Sequence, residues 1–87
     1  MQNRGFNFAN KFRNSPEGKR LWEECGGLCM KCHRAPGSAV DHIHGTRKAR
    51  GYLCHGCNTG IGKLGDTIEG LQEAMDYLIS NPGIELM

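Results

Sequence analysis

The sequence predicts a small α+β domain that a bound metal ion helps to hold together. The chain has 87 residues, of which 38% are hydrophobic and only 7% are aromatic. A chain of this length buries only about 60% of its unfolded surface, so an apolar core alone gives marginal stability. Two Cys-x-x-Cys pairs offer metal ligands as a second source of stability. A pair of short strands between helical segments completes the α+β pattern.

The first predicted helix follows a basic N-terminal arm formed by residues 1–14. Ser15 is a suitable N-cap, Pro16 suits the first helical position, and Glu17 adds an acid to the first turn. We expect this helix to end at Gly26, because glycine commonly follows the last residues of a helix.

A hairpin and a short helix are predicted in the centre of the chain. Residues 39–43 and 50–53 have the composition of short strands, and the basic loop 44–49 joins them. From Cys54 onward the chain turns into a short helix that contains several glycines. This strand, strand and helix sequence is the predicted core of the domain, residues 15–65.

The last predicted helix lies in the C-terminal segment, residues 66–87. Asp66 and Glu69 form an Asp version of the capping box at its start, and Asn81 marks its end. Its apolar residues recur with the 3.6-residue period of an amphipathic helix. The stripe serves either as core or as an oligomer interface, and it consists of Ile68, Leu71, Met75, Leu78 and Ile79.

Basic residues concentrate in the first part of the sequence. Residues 1–50 hold ten of the 11 Lys and Arg residues, although the net charge is only +2. A basic face attracts polyanions such as nucleic acid, and an unevenly charged solvated surface is the alternative. In the N-terminal arm the aromatic rings either stack on nucleic acid or cover the small core. The residues concerned are Phe6, Phe8 and Phe12, interleaved with Arg4, Lys11 and Arg13.

The sequence also bears on the compartment of the protein. It contains no run of 18 apolar residues, and residues 1–14 lack the apolar segment of a secretory signal. We therefore expect a cytoplasmic protein, whose cysteines bind metal rather than form disulfides.

The four cysteines of the two pairs give the strongest motif in the chain, and they are Cys29, Cys32, Cys54 and Cys57. A two-residue gap in each pair is typical of a tetrahedral zinc site, with iron as an alternative. The first pair and His33 also match the C-x-x-C-H motif of haem attachment, but haem would leave the second pair unexplained. We expect the fifth cysteine, Cys25, to be a small buried apolar residue.

A second group of chemically active residues lies between and after the cysteine pairs. Strand alternation places His42 and His44 on one side of the first strand and Asp41 on the other. Asn58 follows the second cysteine pair and returns across the hairpin on the helix. Carboxylate and amide oxygens suit Mg²⁺, and an imidazole beside that ion can take a proton from water. The alternative is that both histidines have only structural or metal-binding roles.

These motifs together resemble the recombination endonuclease VII family of phage nucleases, within the HNH or ββα-metal (His-Me finger) superfamily. The resemblance covers residues 25–78, about two-thirds of the chain. It rests on Gly27-x-Cys29-x2-Cys32, Val40-Asp41-His42-x-His44, Arg50-Gly51-x-Leu53-Cys54-x2-Cys57-Asn58, and Leu64-Gly65-Asp66 followed by Leu71, Ala74, Tyr77 and Leu78.

The resemblance implies a Mg²⁺-dependent DNA endonuclease with a zinc-bound ββα core, in which Mn²⁺ would substitute for Mg²⁺. It implies that His42 is the general base and that Asp41 and Asn58 hold the Mg²⁺. His44 would assist near the phosphate, and Arg50 would clamp it. The four paired cysteines would bind structural zinc.

Further expectations concern partners, cell compartment and activity. We expect DNA contacts from the basic residues Arg47, Lys48, Arg50, Lys11 and Arg13. The last helix would join two copies of the chain in a homodimer, and the cell compartment would be the cytoplasm of a bacterium or a phage-infected host. Action on branched DNA and nicking of duplex DNA remain alternative activities, and a non-catalytic zinc-stabilised DNA-binding module is the alternative function.

Overall fold

A computed structural model of the chain describes residues 8–86. Its elements confirm the predicted small α+β fold, with a single hairpin between helices among the described residues. In chain order they are α1 (Phe8–Arg13), α2 (Pro16–Glu24), β1 (Ala39–His42), β2 (Ala49–Leu53), α3 (His55–Lys63) and α4 (Ile68–Ser80). None of these helices has the length and apolar character that spanning a bilayer requires.

The hairpin of β1 and β2 is antiparallel and contains a bulge. Asp41 pairs with Gly51, whereas the next residue, His42, pairs with Ala49. Arg50 is therefore the extra residue, without a partner on β1. Because a bulge bends its strand and redirects a side chain, this irregularity determines where the Arg50 guanidinium lies.

Helix α2 begins as the sequence predicts. The Ser15 side chain accepts a hydrogen bond from the Gly18 N–H at 3.0 Å, and Pro16 occupies the first turn. The helix ends at Glu24, and Cys25 is its C-cap. Cys25 is half-buried, so the expectation of a fully buried apolar residue is wrong, because a cap position lies at the edge of the helix packing.

The N-terminal arm is partly helical, which the sequence pattern did not predict. Helix α1 packs closely on α2, since a Cβ on Gly18 would lie 1.8 Å from the carbonyl oxygen of Phe12. Arg13 also donates a hydrogen bond to the Ser38 carbonyl at 2.7 Å, which ties α1 to the start of β1. Phe6 and Arg4 lie outside the described residues.

The core is built around the buried Tyr52. The rings of Phe12 and Trp22 lie 5.5 and 5.0 Å from its ring, and its hydroxyl donates to the Gly18 carbonyl at 2.8 Å. Phe12 therefore covers the core, which is one of the two alternatives predicted for the aromatic rings of the N-terminal arm. The only other hydrophobic residues buried within residues 8–86 are Cys29 and Leu53, which confirms that the core is thin.

The start of α4 differs from the prediction. Thr67, not Asp66, is the N-cap, and its side chain accepts a hydrogen bond from the Gly70 N–H at 3.0 Å. Asp66 has a left-handed backbone conformation, with φ of 58°. Its carboxylate is therefore available for other contacts.

Helix α4 ends at Ser80 with Asn81 as its cap, as predicted. Its apolar side chains remain largely uncovered, with exposed fractions of 81% for Ile68, 67% for Leu78 and 72% for Ile79. The stripe therefore contributes little to the core. The described residues as a whole extend over 56 × 27 × 22 Å.

Candidate functional site

The two cysteine pairs meet at one place. Cys29 and Cys32 lie in the turn after α2, while Cys54 is the N-cap of α3 and Cys57 lies in its first turn. All four Sγ atoms lie within 4.8 Å of one another. The fifth cysteine, Cys25, is not part of this cluster.

Backbone N–H groups point at the sulfur atoms of this cluster. Those of Lys31 and Cys32 both donate to the Cys29 Sγ at 3.4 Å, and that of Cys57 donates to the Cys54 Sγ at the same distance. These contacts arise because each Cys-x-x-Cys segment turns back on its first cysteine. They stabilise negative charge on sulfur.

The cluster perturbs the pKa of its thiols in opposite directions. Burial by itself would raise the pKa of the Cys29 thiol. Hydrogen bonds with backbone N–H groups, including those of Cys32 and Cys54, have the larger combined effect, and they lower the pKa to about 5. A hydrogen bond with Cys54 and burial raise the pKa of Cys57 to about 12. Backbone hydrogen bonds with Arg34 and Ala35 also lower the pKa of Cys32. Ionisation of all four thiols without a cation would bring like charges together.

This donor set fits a zinc ion. Tetrahedral zinc with Zn–S bonds of about 2.3 Å places sulfur atoms about 3.8 Å apart, within the spacing of this cluster. A divalent ion also supplies the positive charge that full ionisation of the thiols requires. The four cysteines could therefore hold zinc, and their grouping accounts for both pairs at once, which haem attachment does not.

The cysteine cluster is joined directly to β2. Met30, between the first two cysteines, donates its N–H to the Tyr52 carbonyl at 2.8 Å, and its Sδ accepts the Tyr52 N–H at 3.2 Å. A Cβ on Gly51 would lie 2.6 Å from that sulfur, so the glycine permits the close approach. The turn around the cysteine cluster therefore fixes the strand that carries Arg50.

The two histidines lie together at the loop end of the hairpin. The rings of His42 and His44 stack, with centroids 5.2 Å apart and an interplanar angle of 21°. Their shared side is the one that strand alternation predicts. The ring of Phe8, on α1, lies 5.4 Å from that of His42, a contact that no periodic pattern in the sequence indicates.

An ion-pair network lies beside these histidines. Arg50 binds Asp41 through Nε at 2.7 Å and Nη2 at 3.1 Å, and its Nη2 also contacts Asp66 at 2.5 Å. Hydrogen bonds with Asp41 and Asp66 raise the pKa of Arg50, so it stays charged. Nε2 of His44 lies 3.7 Å from the other Asp66 oxygen, so Asp66 links the network to the histidines.

Asp66 is the residue of this site that sequence reasoning missed. Asp66 and Thr67 are both good N-cap residues and adjoin each other, so either could have capped α4. Once Thr67 takes that role, Asp66 has to find another partner. The preceding Leu64-Gly65 break in the helical pattern is the signal that a turn, rather than a helix, contains Asp66.

Asn58 lies near the hairpin but outside this network. It is half-buried on α3, and this helix packs against both strands. Within residues 8–86 its side-chain amide has no hydrogen-bonding partner. The structure therefore joins Asp41 with Arg50, and His42 with His44, but it gives no direct contact between Asn58 and Asp41.

Two of the basic residues predicted to contact DNA line a cleft near the histidines. Lys11 and Arg47, together with Phe8 and Phe12, line this cleft of about 300 Å³ between α1 and the hairpin loop. Lys48 is exposed in that loop. Because Phe8 also contacts the His42 ring, the cleft adjoins the paired histidines.

Comparison with known proteins adds an independent finding. The model of one family, recombination endonuclease VII, matches residues 6–80. That span includes both cysteine pairs and every site residue described above. Searches of curated proteins and of solved structures find no significant match. Because the family match covers most of the chain, the protein belongs to the recombination endonuclease VII family, which implies a DNA endonuclease.

Proposed function

We propose that the protein is a Mg²⁺-dependent endonuclease of the HNH, or His-Me finger, type that hydrolyses DNA phosphodiester bonds. The observation that carries this proposal is the position of His42, which stacks on His44 and neighbours the Asp41 carboxylate in the chain. Family membership supplies the substrate class, DNA. Action on branched DNA and nicking of duplex DNA are the two activities to distinguish.

In this proposal His42 is the general base. Its ring has no hydrogen-bonding partner within residues 8–86, so both nitrogens are open to a water molecule. The rings of Phe8 and His44 both pack against the His42 ring and limit its rotation. A base held in one orientation can take a proton from the water that attacks phosphorus.

Asp41 and Asn58 are the proposed ligands of the Mg²⁺, for which Mn²⁺ would substitute. Both offer the oxygen atoms that Mg²⁺ prefers, and the unpaired Asn58 amide supports this assignment. When bound, such an ion supplies stabilisation of the negative charge on the phosphate. His44 would hydrogen-bond the same phosphate, and Arg50 would contact it after leaving Asp41.

Zinc in the four-cysteine cluster would have a purely structural role. Four thiolates fill all tetrahedral positions, so no position is left for water or substrate. The contact between Met30 and Tyr52 extends this support to the hairpin. The zinc site would therefore stabilise the strand that carries Arg50.

DNA would follow the basic surface on both sides of the hairpin loop. Arg47 and Lys48 lie in or beside that loop, and Lys11 lines the adjoining cleft. Arg13, which holds the Ser38 carbonyl, would contribute its remaining charge. Such contacts to phosphates set affinity and orientation rather than base preference.

Replacement of the proposed base tests the function. We expect His42→Ala to reduce cleavage of supercoiled, linear and four-way-junction DNA by about 10²–10⁴-fold, because general base catalysis contributes that much. DNA affinity, measured by fluorescence anisotropy, should change little. His55→Ala is a matched control, since His55 is exposed at the start of α3 and should leave cleavage intact.

Two outcomes would contradict this proposal. Full cleavage by the His42→Ala variant would show that another group acts as the base. Tight DNA binding by the wild-type protein, with no cleavage of any substrate in the presence of Mg²⁺, would instead favour a zinc-stabilised DNA-binding module.

We further propose that the exposed stripe of α4 joins two copies of the chain. Met75, Leu78 and Ile79 have exposed fractions of 54%, 67% and 72%, a large apolar surface for so small a protein. A two-fold dimer would supply the two active sites that symmetric cutting of both strands needs. Light scattering should give twice the chain mass, and Leu78→Glu should give a monomer. A wild-type monomer at micromolar concentration would contradict the dimer.

A further inference from the structure

Asp66 has contacts that neither helix capping nor the proposed reaction explains. Its side chain is only 20% exposed, and its backbone adopts the left-handed conformation at the junction of α3 and α4. Thr67 already caps α4. The Asp66 carboxylate instead contacts Arg50 at 2.5 Å and lies 3.7 Å from His44.

Arg50 also occupies the carboxylate that the proposed metal site needs. Its Nε and Nη2 contact both oxygens of Asp41, at 2.7 and 3.1 Å. A side-on pair of this kind engages the same oxygens that a divalent cation would bind. A cation on Asp41 must therefore compete with the guanidinium, and the two positive charges repel each other.

Asp66 gives the guanidinium a second anionic partner. Nη2 of Arg50 is shared, since it contacts Asp66, Asp41 and the His42 carbonyl at 2.5, 3.1 and 3.4 Å. Its contact with Asp66 is the shortest of the three. Arg50 can thus release Asp41 and still keep a carboxylate beside it.

We propose that Asp66 is a positioning residue that holds Arg50 when a divalent cation binds Asp41. It would thereby raise the affinity of the site for the cation, through the guanidinium and not by direct ligation. This inference rests on the proposed function, in which Asp41 is a metal ligand.

Mn²⁺ binding to the full-length, zinc-loaded protein tests the inference without relying on cleavage. Free Mn²⁺ is measured by electron paramagnetic resonance for the wild type, Asp66→Asn, Arg50→Gln and the double variant. Asp76→Asn is the matched control, because Asp76 lies on α4 and pairs with Gln72 at 2.9 Å, away from the hairpin. It removes the same charge as Asp66→Asn.

The expected pattern depends on Arg50. Asp66→Asn should weaken Mn²⁺ binding about tenfold, and Asp76→Asn less than about twofold. Arg50→Gln should tighten binding, since the competing cation is gone. In the Arg50→Gln background, the change in Mn²⁺ affinity caused by Asp66→Asn should be at least about threefold smaller than in the wild type. The reason is that no guanidinium remains for Asp66 to hold.

Each other result overturns a defined statement. Equal affinities of Asp66→Asn and Asp76→Asn would reject the role of Asp66, whereas Asp41→Asn variants that bind Mn²⁺ normally would reject the metal site of the proposed function. An Asp66→Asn change that weakens Mn²⁺ binding as much in the Arg50→Gln background as in the wild type would make Asp66 a direct ligand of the cation and reject the positioning role. If the Asp66→Asn variant fails to fold, the Arg50→Gln variant alone tests the inference. Unchanged or weaker Mn²⁺ binding by Arg50→Gln would show that the guanidinium and the cation do not compete for Asp41.

Discussion

The cysteine cluster and the charged network around Arg50 both adjoin the hairpin but are assembled in different ways. The cysteines come as two local pairs, and their sulfur atoms meet within 4.8 Å. The network joins Asp41, Arg50 and Asp66, which come from β1, a bulge in β2 and the turn before α4. Cys29 is completely buried, whereas the Arg50 side chain is 37% exposed. Local spacing thus builds the part that stabilises the fold, and tertiary contacts build the part that faces solvent.

The largest expected effect is the loss of a cysteine ligand. We expect Cys54→Ser to leave the chain largely unfolded. Structural zinc contributes on the order of 10 kcal/mol, which exceeds the roughly 5 kcal/mol of total stability typical at the lower end for domains. Elemental analysis should find one zinc in the wild type and little in the variant, and far-UV circular dichroism should show lost helix.

Cys25→Ser is the matched control for this experiment. Cys25 lies outside the cluster, and its Sγ hydrogen-bonds the Trp22 carbonyl at 3.5 Å. This variant should keep both zinc and structure. A well-folded, zinc-free Cys54→Ser protein would contradict the statement that the cysteine cluster, unlike the charged network, stabilises the fold.

A smaller effect is expected where the two regions touch. In Gly51→Ala the new Cβ would lie 2.6 Å from the Met30 Sδ, so the turn around the metal site and β2 must separate. We expect a loss of about 1–3 kcal/mol in the free energy of unfolding, measured by denaturant titration with zinc present.

Gly56→Ala provides the comparison for Gly51→Ala. Gly56 lies in α3 with no atom near the position of an added Cβ. Alanine there should stabilise the protein by roughly 0.5–1 kcal/mol, since alanine favours the helix. Equal stability of the two variants would mean that Met30 moves aside at no cost and that the regions are not coupled through it.

The smallest effect is expected at the basic loop, where the salt dependence of DNA binding rather than stability is measured. Arg47→Gln and Lys48→Gln should each lower the slope of log affinity against log salt by about 0.9, the value for one phosphate contact. Fluorescence anisotropy with duplex DNA at several salt concentrations measures this slope. Lys63→Gln, at the end of α3, is the control with the same charge change. Unchanged slopes in both loop variants would place the DNA elsewhere on the surface.

Much of the fold was predictable because its signals are local. Ser15 and Pro16 mark the start of α2, and the two-residue cysteine gaps indicate the metal cluster. The hairpin follows from the short strand segments, and its ends differ from the prediction by one residue. These features depend on residues that are close together in the sequence.

Other features could not be predicted from the sequence, for physical reasons. Helix α1 has only six residues, too few for a periodic pattern, and it is stabilised by contacts such as that of Phe12 with Tyr52. The bond between Arg50 and Asp66 spans 16 residues and depends on both the bulge and the turn. Predicting it would require the relative placement of β2 and α4, which propensities do not contain.

The bulge in the hairpin has a consequence for how this region can tolerate change in length. Arg50 is the residue without a partner on β1, so its deletion would leave Asp41–Gly51 and His42–Ala49 as consecutive pairs and eliminate the bulge. Tyr52 would keep its partner Val40 and its place in the core, whereas the contacts of Arg50 with Asp41 and Asp66 would be lost. The extra residue therefore serves the charged network rather than the core, and the exposed loop between the strands can gain residues without disturbing either face.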